Sequence, residues 1–179
     1  MPKTIHLIRH GQSTFNAGYE ALGVDPMLHD APLSPLGKQQ AAALRQTLAD
    51  TSFELVVTSP FTRALQTCLG IFDGRGIPYL VEALHREHRG SSCDFGRSPL
   101  ELVKEFPAFT FDHLEDPWWY VDAAGGTEPE DLLMARVSGF RDWLLSRAEQ
   151  SIAVIGHSTF FSRLAGRPLA NCEVCLLNL

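Results

Sequence analysis

The chain has 179 residues, which suits one domain and is enough to bury a sizeable hydrophobic core. Hydrophobic residues make up 45% of the sequence, as in an ordinary globular protein, and no run approaches the ~20 apolar residues of a membrane helix. The net charge of −6 gives little electrostatic support for binding to nucleic acid. We therefore expect neither a nucleic-acid partner nor a membrane partner.

The amino terminus and the cysteines indicate the compartment. The first residues lead straight into a strand-like run without the pattern of a signal peptide, which predicts a cytoplasmic protein. Cys172 and Cys175 have the spacing of a zinc knuckle, but a structural zinc site needs four ligands, and the sequence has no second such pair. We expect reduced thiols, also at Cys68 and Cys93, and neither a metal nor another cofactor.

Short apolar runs predict the strands of the fold. Buried strands are expected at residues 4–8, 55–57 and 152–155, and residues 173–179 have the composition of a last strand. Helical patterns lie between these runs, one of them carried by the apolar positions Leu36, Ala41, Leu44 and Leu48. The alternation of strands and helices predicts an α/β layered fold with a largely parallel sheet.

Capping signals predict where the helices begin. Ser34 followed by Pro35 is a favourable start, and residues 58–60 (TSP) repeat this pattern before a helix with Arg63 in its first turn. Residues 127–130 (TEPE) resemble a capping box before a helix that ends near residue 146. We therefore assign Glu128 and Glu130 to helix capping and not to catalysis.

The segment 82–126 has few secondary-structure signals. A short helix is expected at residues 100–106, and the rest reads as loop. Its aromatic residues either pack as a satellite core over the edge of the sheet or form a lid that excludes water from a pocket. The sequence leaves both interpretations open for Phe106, Phe109, Phe111, Trp118, Trp119 and Tyr120.

Cationic and nucleophilic residues follow the three predicted buried strands. Arg9 and His10 end the first strand, Arg63 lies one helical turn beyond the second, and His157 follows the third. Since the carboxyl ends of parallel strands meet at one edge of a sheet, we expect these four side chains to converge. Two guanidinium groups, two imidazoles and the amides of a helix N-terminus together make a site for a dianion.

This set of residues suits phosphoryl transfer. The planar fork of an arginine binds two phosphate oxygens at once, and positioned cations stabilise the charge that develops in the transition state. A neutral imidazole is a competent nucleophile near pH 7 and would form a phosphohistidine. A carboxylic acid would protonate an alcohol leaving group, and both Glu82 and Glu87 are candidates.

Several blocks of the sequence, in this order, resemble the histidine phosphatase superfamily, which includes the cofactor-dependent phosphoglycerate mutases. The blocks are residues 9–13 (RHGQS), 33–41 (LSPLGKQQA) and 59–67 (SPFTRALQT), joined by Asn16 and His157. The likeness extends over nearly the whole chain. It implies a three-layer α/β/α sandwich of the phosphoglycerate mutase type, formed by one domain over residues 1–179, with residues 82–126 as a loop-rich insertion over the active site.

The resemblance also implies roles for individual residues. One branch of the family has a Cys-Asp-x-Gly segment six residues after its catalytic Glu, and Cys93-Asp94-Phe95-Gly96 matches it, which favours Glu87 over Glu82 as the proton donor. His10 resembles the phosphorylated nucleophile. The branch often has Pro before the Cys, where this chain has Ser92, and family members often have Gly after the second His, where this chain has Ser158. The residues that resemble the phosphate pocket are Arg9, Asn16, Arg63, His157 and the backbone amide of Ser158.

The activity implied is a metal-independent phosphatase that hydrolyses a small phosphomonoester through a phosphohistidine. A phosphoglycerate mutase is an alternative with the same residues, although such mutases are usually longer. Protein phosphohistidine is another possible substrate. A phosphate-binding module without turnover is an alternative from another class. The sequence leaves the substrate and the oligomeric state open.

Each site residue also has a purely structural interpretation. His10 alone would be read as a hydrogen-bonded core histidine, and Glu87, among Arg86, His88 and Arg89, as part of a solvated ion-pair cluster. The order of the blocks favours the catalytic interpretation of both. The remaining histidines have no partner pattern and are assigned structural or surface roles: His6, His29, His85, His88 and His113.

Overall fold

A five-stranded sheet organises the molecule, of which the computed structural model describes residues 3–123 and 125–179. Its strands are β1 (Thr4–Arg9), β2 (Leu55–Thr58), β3 (Tyr79–Val81), β4 (Ser151–Gly156) and β5 (Val174–Asn178). They lie in the order β3-β2-β4-β1-β5. All neighbouring pairs are parallel except β1 and β5, which are antiparallel. The carboxyl ends of β1, β2 and β4 therefore meet at one edge, as the sequence predicts.

Helices fill the connections between the strands. In the described residues they are α1 (Thr14–Leu22), α2 (Pro35–Thr47), α3 (Thr62–Phe72), a 3₁₀ turn (Ser92–Asp94), α4 (Pro99–Glu105), α5 (Glu130–Ser146) and α6 (Ser158–Ala165). None of these helices is long and apolar enough to cross a membrane.

The sheet is covered on both faces, which confirms the α/β fold. Side chains of a strand point alternately to opposite faces. In β4, Ile152 and Val154 pack with α5 and α6, whereas Ala153 and Ile155 pack with α2 and α3. The core thus lies in two layers, one on each side of the sheet, and the loops at its carboxyl edge remain available for the site.

Two elements lack a sequence signal that predicts them. Helix α1 buries little more than Phe15, so it has no apolar period, and it is instead held by a capping box in which Ser13 and Asn16 bond each other's backbone amides. Strand β3 is only three residues long. In α2 the predicted apolar face is confirmed at Ala41, Leu44 and Leu48, but Leu36 is exposed.

The start of α3 differs from the prediction. The TSP pattern at 58–60 does not cap this helix, which begins at Thr62 after Phe61. A distant carboxylate caps it instead, since Asp30 Oδ1 accepts from the Thr62 amide at 2.8 Å. Thr58 and Ser59 are fully buried at the end of β2. Arg63 nevertheless lies in the first turn, as expected.

The capping box predicted at 127–130 is wrong. Helix α5 begins after Pro129, so its N-cap residue is neither Thr127 nor a residue with a side chain that can cap. Glu128 is buried and forms an ion pair with Arg136, whose Nε and Nη2 donate to its two oxygens at 2.8 and 2.6 Å. Glu130 pairs with Arg163 at the surface. Both acidic residues therefore pair with arginines, and the TEPE pattern did not show these long-range contacts.

Five aromatic residues of the segment 82–126 pack in or against the core on the α3 face, whereas Tyr120 is not part of this cluster. Phe106, Phe109, Phe111 and Trp118 are buried, and the Trp118 ring lies edge-on to Phe61 with 4.7 Å between ring centroids. Trp119 is half-buried against the same cluster. This arrangement agrees with the packing interpretation, and the predicted short helix is confirmed as α4.

Candidate active site

A polar cleft of about 210 Å³ lies at the carboxyl edge of the sheet. It brings together five of the residues predicted from the sequence: Arg9, His10, Asn16, Arg63 and Glu87. The other described residues that line it are Ser13, Phe15, His88, Gly90, Ser91, Cys93, Asp94 and Thr159. No aromatic side chain of residues 106–120 is among these lining residues, so the cleft is not shaped by that cluster.

His10 lies just past the end of β1, where its backbone amide donates to Gly156 O of β4 at 2.9 Å. The side chain is 4% exposed. Its Nδ1 donates to the Gly11 carbonyl oxygen at 2.7 Å, which assigns the ring proton to Nδ1 and leaves the lone pair on Nε2. Burial, together with the charges of Arg63 and Arg9, holds the pKa of His10 well below its usual value of 6.5. The imidazole is therefore neutral at pH 7, as a nucleophile must be.

The two arginines hold their guanidinium groups in the cleft through contacts with backbone carbonyls. Arg9 Nη1 donates to Leu169 O at 2.8 Å, and its buried Nε has no partner among residues 3–123 and 125–179. Arg63 is 2% exposed and donates from Nη1 to Cys93 O at 2.8 Å. A buried N–H group is costly unless an acceptor pairs with it, so the Arg9 Nε is available to an anion in the cleft.

His157 lies behind His10 and is fully buried. The centroids of the two imidazoles are 5.2 Å apart. His157 Nε2 bonds Ser59 Oγ at 2.8 Å, whereas its Nδ1 is buried and has no partner in the described part of the chain. Burial first, and then the charge of Arg63, keeps the pKa of His157 well below 6.5. The structure therefore places His157 beside the nucleophile, although it is not among the described residues that line the cleft.

Glu87 is half-buried in the wall of the cleft and caps helix α6. Its Oε2 accepts from the Thr159 amide and its Oε1 from the Phe160 amide, both at 3.1 Å. Loss of water around the carboxyl group, reinforced by the charge of Asp94, raises the pKa of Glu87. A raised pKa suits a group that must donate a proton near neutral pH.

Glu82, the other candidate acid, lies elsewhere. Its Oε1 accepts from the Leu84 amide at 2.9 Å, and it lines a separate cavity with Arg86 and His113. The geometry thus favours Glu87 as the carboxyl group of the cleft. The ion-pair interpretation of Glu87 is not supported, because its oxygens accept from backbone amides.

The two remaining predicted phosphate contacts differ in position. Asn16 lines the cleft, and its Oδ1 accepts from the Ser13 amide at 3.1 Å, so its NH₂ group is the part left to donate to a ligand. Ser158 is half-buried as the first residue of α6, and it is not among the described residues that line the cleft. The amide of the next residue, Thr159, is already bonded to Glu87.

Among the site residues that were not predicted, Asp94 and Ser59 make direct contacts with predicted ones. Asp94 lines the cleft and pairs with Arg63, Nη2 to Oδ1 at 3.1 Å. Ser59 holds His157. Both lie in blocks that carry the family resemblance, Cys-Asp-x-Gly and SPFTRALQT, but each was read there as a spacer or a cap. The motifs mark the positions of both residues in the sequence. Their contacts with Arg63 and His157 become visible only in the folded structure.

The cysteines take no part in an assembled metal site. All four are free thiols, and Cys93, which lines the cleft, is buried. Within residues 3–123 and 125–179, no group of three or more His, Cys, Asp or Glu side chains is placed to hold a metal ion. The cleft presents cations from arginine, so an anion is the ligand that its charges favour.

Comparison with known families shows where the chain belongs. A model described as the histidine phosphatase superfamily (branch 1) matches residues 5–172. The chain belongs to the histidine phosphatase superfamily. The matched range includes every site residue discussed above, from Arg9 to Thr159.

Curated relatives in this superfamily carry two kinds of name. A phosphoglycerate mutase-like protein 1 from Arabidopsis thaliana is 32% identical over 197 residues, which cover 88% of this chain and 69% of the relative. A glucosyl-3-phosphoglycerate phosphatase from Mycolicibacterium vanbaalenii is 29% identical over 180 residues, covering 94% of this chain and 76% of the relative.

Solved structures show the same histidine phosphatase fold. The mycobacterial glucosyl-3-phosphoglycerate phosphatase in complex with VO3 superposes with a TM-score of 0.66 at 20% identity, covering 98% of this chain and 90% of that chain. A putative alpha-ribazole-5'-P phosphatase from Escherichia coli superposes with a TM-score of 0.68, also at 20% identity and over the same shares of the two chains. These matches support the fold.

Proposed function

We propose that this histidine phosphatase family member hydrolyses a small phosphomonoester through a phosphohistidine on Nε2 of His10, without a metal ion. The observation that carries the proposal is the state of His10. Its proton is fixed on Nδ1 by Gly11 O, its ring is neutral, and it shares a cleft with Arg9 and Arg63. A free lone pair beside two fixed cations is the arrangement that attack on phosphorus requires.

Substrate binding follows from the donors in the cleft. The phosphoryl oxygens would accept from Arg9, from Arg63 and from the NH₂ group of Asn16. His157 adds a further donor if its Nδ1 carries the proton, as it would when Ser59 donates to Nε2. These donors are fixed before the substrate arrives, so little reorganisation is needed as charge develops on the oxygens.

In the first chemical step, His10 Nε2 forms a bond to phosphorus while the bond from phosphorus to the ester oxygen breaks. The proton of Glu87 passes to that oxygen, and an alcohol leaves. The raised pKa of Glu87 supplies this proton near neutral pH. The aryloxide of an aryl ester is a better leaving group than an alkoxide, so hydrolysis of an aryl ester depends less on the proton from Glu87.

In the second step, water attacks the phosphorus of the phosphohistidine. Glu87, now a carboxylate, accepts the proton of the water, the bond from phosphorus to Nε2 breaks, and inorganic phosphate leaves. The Nε2 lone pair is thereby restored, and Glu87 is again protonated. The cycle uses one carboxyl group as acid and then as base, in accordance with microscopic reversibility.

The substrate class is proposed from the cleft and the relatives. A volume of about 210 Å³ with mainly polar walls accommodates a phosphoryl group and a small polar remainder, and is small for a ligand site. One relative is named glucosyl-3-phosphoglycerate phosphatase, and another is named phosphoglycerate mutase-like protein 1. We propose a small phosphorylated metabolite on this basis, and no nucleic acid.

A mutase remains the second candidate, because a relative at 32% identity is named phosphoglycerate mutase-like. A mutase would return the phosphoryl group from His10 to another hydroxyl. The two activities differ in their products. With a labelled phosphoglycerate, the phosphatase releases labelled phosphate, whereas the mutase transfers the label to a second position of the acid.

The test is phosphate release from p-nitrophenyl phosphate and from a panel of alkyl phosphomonoesters, each in EDTA. Wild type should turn over, and Glu87→Gln should lose about 10² to 10⁴-fold on alkyl esters with a much smaller loss on the aryl ester. The exposed His29→Gln serves as a control with unchanged rates. Release of no phosphate from any ester, or equal losses on both ester classes in Glu87→Gln, would contradict the proposal.

Two broader features belong to the same proposal. We propose that residues 1–179 form one domain, in which the segment 82–126 supplies the wall of the active site that contains Glu87 and Asp94. We also propose a cytoplasmic location, which the four free thiols favour, because reduced cysteines persist in a reducing compartment.

A further inference from the structure

Asp94 is the acidic residue of the cleft that the proposed reaction does not use. It is 4% exposed, and it ends the 3₁₀ turn Ser92–Asp94. A buried carboxylate is costly unless charges and hydrogen bonds compensate it, so its partners indicate what it does. All of these partners belong to the wall of the active site.

One oxygen of Asp94 contacts the phosphate-binding arginine. Oδ1 lies 3.1 Å from Arg63 Nη2, and both side chains are at most 5% exposed. The neighbouring carbonyl of Cys93 accepts from Arg63 Nη1 at 2.8 Å. Two adjacent residues of the turn therefore engage both ends of the guanidinium fork, which fixes its plane.

The other oxygen of Asp94 shapes the turn itself. Oδ2 accepts from the amides of Gly90 and Ser91 at 3.1 and 2.9 Å. Gly90 and Ser91 line the cleft, three and four residues after Glu87. The same carboxylate therefore joins the loop segment that carries the acid to the helix that carries Arg63.

The titratable and charged groups around Glu87 come from several elements. Asp94 and the Cys93 thiol come from the 3₁₀ turn, Arg63 from α3 and Arg9 from β1. The amides of α6 reach both carboxyl oxygens. Besides Glu87, the described lining of the cleft has one acidic residue, Asp94. The other titratable or charged residues of that lining are Arg9, His10, Arg63, His88 and Cys93.

We propose that Asp94 is a positioning residue, which fixes the guanidinium of Arg63 and keeps a proton on Glu87 for the leaving group. The proposal rests on the proposed function, because it assumes that Glu87 is the acid. Asp94 offsets part of the field of the two arginines, which would otherwise favour the ionised form of Glu87. The raised pKa of Glu87, to which burial and then Asp94 contribute, agrees with this role.

The test is the pH dependence of kcat/KM for an alkyl and an aryl phosphate in wild type, Asp94→Asn and Asp94→Ser. Without the negative charge, the pKa of Glu87 falls, so the loss of alkyl activity on raising the pH begins about one pH unit lower. Above that pH, the ratio of aryl to alkyl rate rises about tenfold. Serine keeps a hydroxyl acceptor for the turn, so a folded variant is available if Asn destabilises the protein.

Asp25→Asn is the matched control. Asp25 holds the same turn from outside the cleft, since its oxygens accept from the Ser92 amide at 2.9 Å and the Ser92 hydroxyl at 2.5 Å. Loosening the turn there should leave two quantities unchanged: the pH at which alkyl activity begins to fall (the alkaline limb of the pH profile) and the ratio of aryl to alkyl rate. If both Asp94 variants keep the wild-type limb and lose both activities equally, Asp94 is structural and the proposal is overturned.

The parent assignment has its own signature in the same experiment. If Glu87 is not the acid, Glu87→Gln will keep the wild-type ratio of aryl to alkyl rate, whatever the Asp94 variants do. A changed ratio in Glu87→Gln with an unchanged limb in both Asp94 variants contradicts the role of Asp94 alone.

Discussion

The two sides of the active site are built in different ways. The phosphate side comes from residues next to strand ends: Arg9, His10 and His157, with Arg63 one turn into a helix. The acid side comes from residues 82–94, which follow the short strand β3 and contain no longer element than a 3₁₀ turn. On the first side the sheet fixes the positions, whereas on the second side individual side chains do so.

The acid side is held from far along the chain. Arg136 of α5 donates to Leu84 O at 2.7 Å and to Arg86 O at 3.0 Å, and thus holds the backbone immediately before Glu87. Asp94 holds the turn that follows. The comparison indicates that substitutions distant from the cleft will disturb the acid side more readily than the phosphate side.

The largest expected effect is that of Glu128→Gln. Glu128 and Arg136 form a buried pair, so the substitution leaves the arginine charge without a carboxylate and should lower the free energy of unfolding by about 3 kcal/mol. Because Arg136 also holds the residues around Glu87, activity on alkyl esters should fall more than on aryl esters. Chemical denaturation and the two rates measure this.

Glu130→Gln is the control for that prediction, since Glu130 pairs with Arg163 at the surface. Surface pairs contribute little, so its stability should stay close to wild type. If Glu128→Gln and Glu130→Gln changed the free energy of unfolding and the ratio of aryl to alkyl rate equally, Arg136 would not hold the acid side.

A smaller effect is expected at His85, where the acid side packs under β4. The ring is fully buried, Nε2 donates to Ile155 O at 3.0 Å, and burial lowers the pKa of His85 from 6.5 to about 3. The unfolded chain takes up a proton as the pH falls below 6.5, but the folded chain does not until about pH 3. Stability contributed by this residue is therefore lost progressively between these values.

His85→Gln should reduce the slope of unfolding free energy against pH between pH 6 and 4 by about 1.4 kcal/mol per pH unit. Denaturant titrations at several pH values measure the slope. The exposed His29→Gln should keep the wild-type slope. An unchanged slope in His85→Gln would show that His85 is protonated in the folded protein.

The smallest effect concerns the phosphate side. Ser59→Ala removes the hydroxyl that bonds His157 Nε2 at 2.8 Å, at a cost of about 1 kcal/mol or roughly fivefold in kcat/KM. The loss should be equal for aryl and alkyl esters, because phosphate binding precedes both. A loss confined to alkyl esters would instead connect Ser59 to the acid side.

The difference between the two sides also explains what the sequence could predict. His10 and His157 follow apolar strands, and parallel strands deliver their carboxyl ends to one edge, so local patterns sufficed. The position of Glu87 needed a family motif. Its supports join residues far apart, such as Arg136 with Leu84, 52 positions away, and no local pattern encodes such contacts.

The same reason accounts for the wrong predictions. Residues 58–60 and 127–130 have the composition of caps, yet the α3 cap is Asp30, 32 positions before the amide it binds. Glu128 is paired with Arg136 inside the protein. Local propensity is a weak guide where a distant side chain competes for the same group.

The most direct test of the central claim is to trap the covalent intermediate. Wild type and His10→Ala would be mixed with a phosphomonoester labelled in its phosphoryl group, quenched within one turnover in alkali, and digested to locate the label. We predict one acid-labile phosphoryl group on His10, absent in His10→Ala and discharged by water in a chase. Turnover with the label on another residue, or full activity of His10→Ala, would contradict the assignment of His10 as the nucleophile.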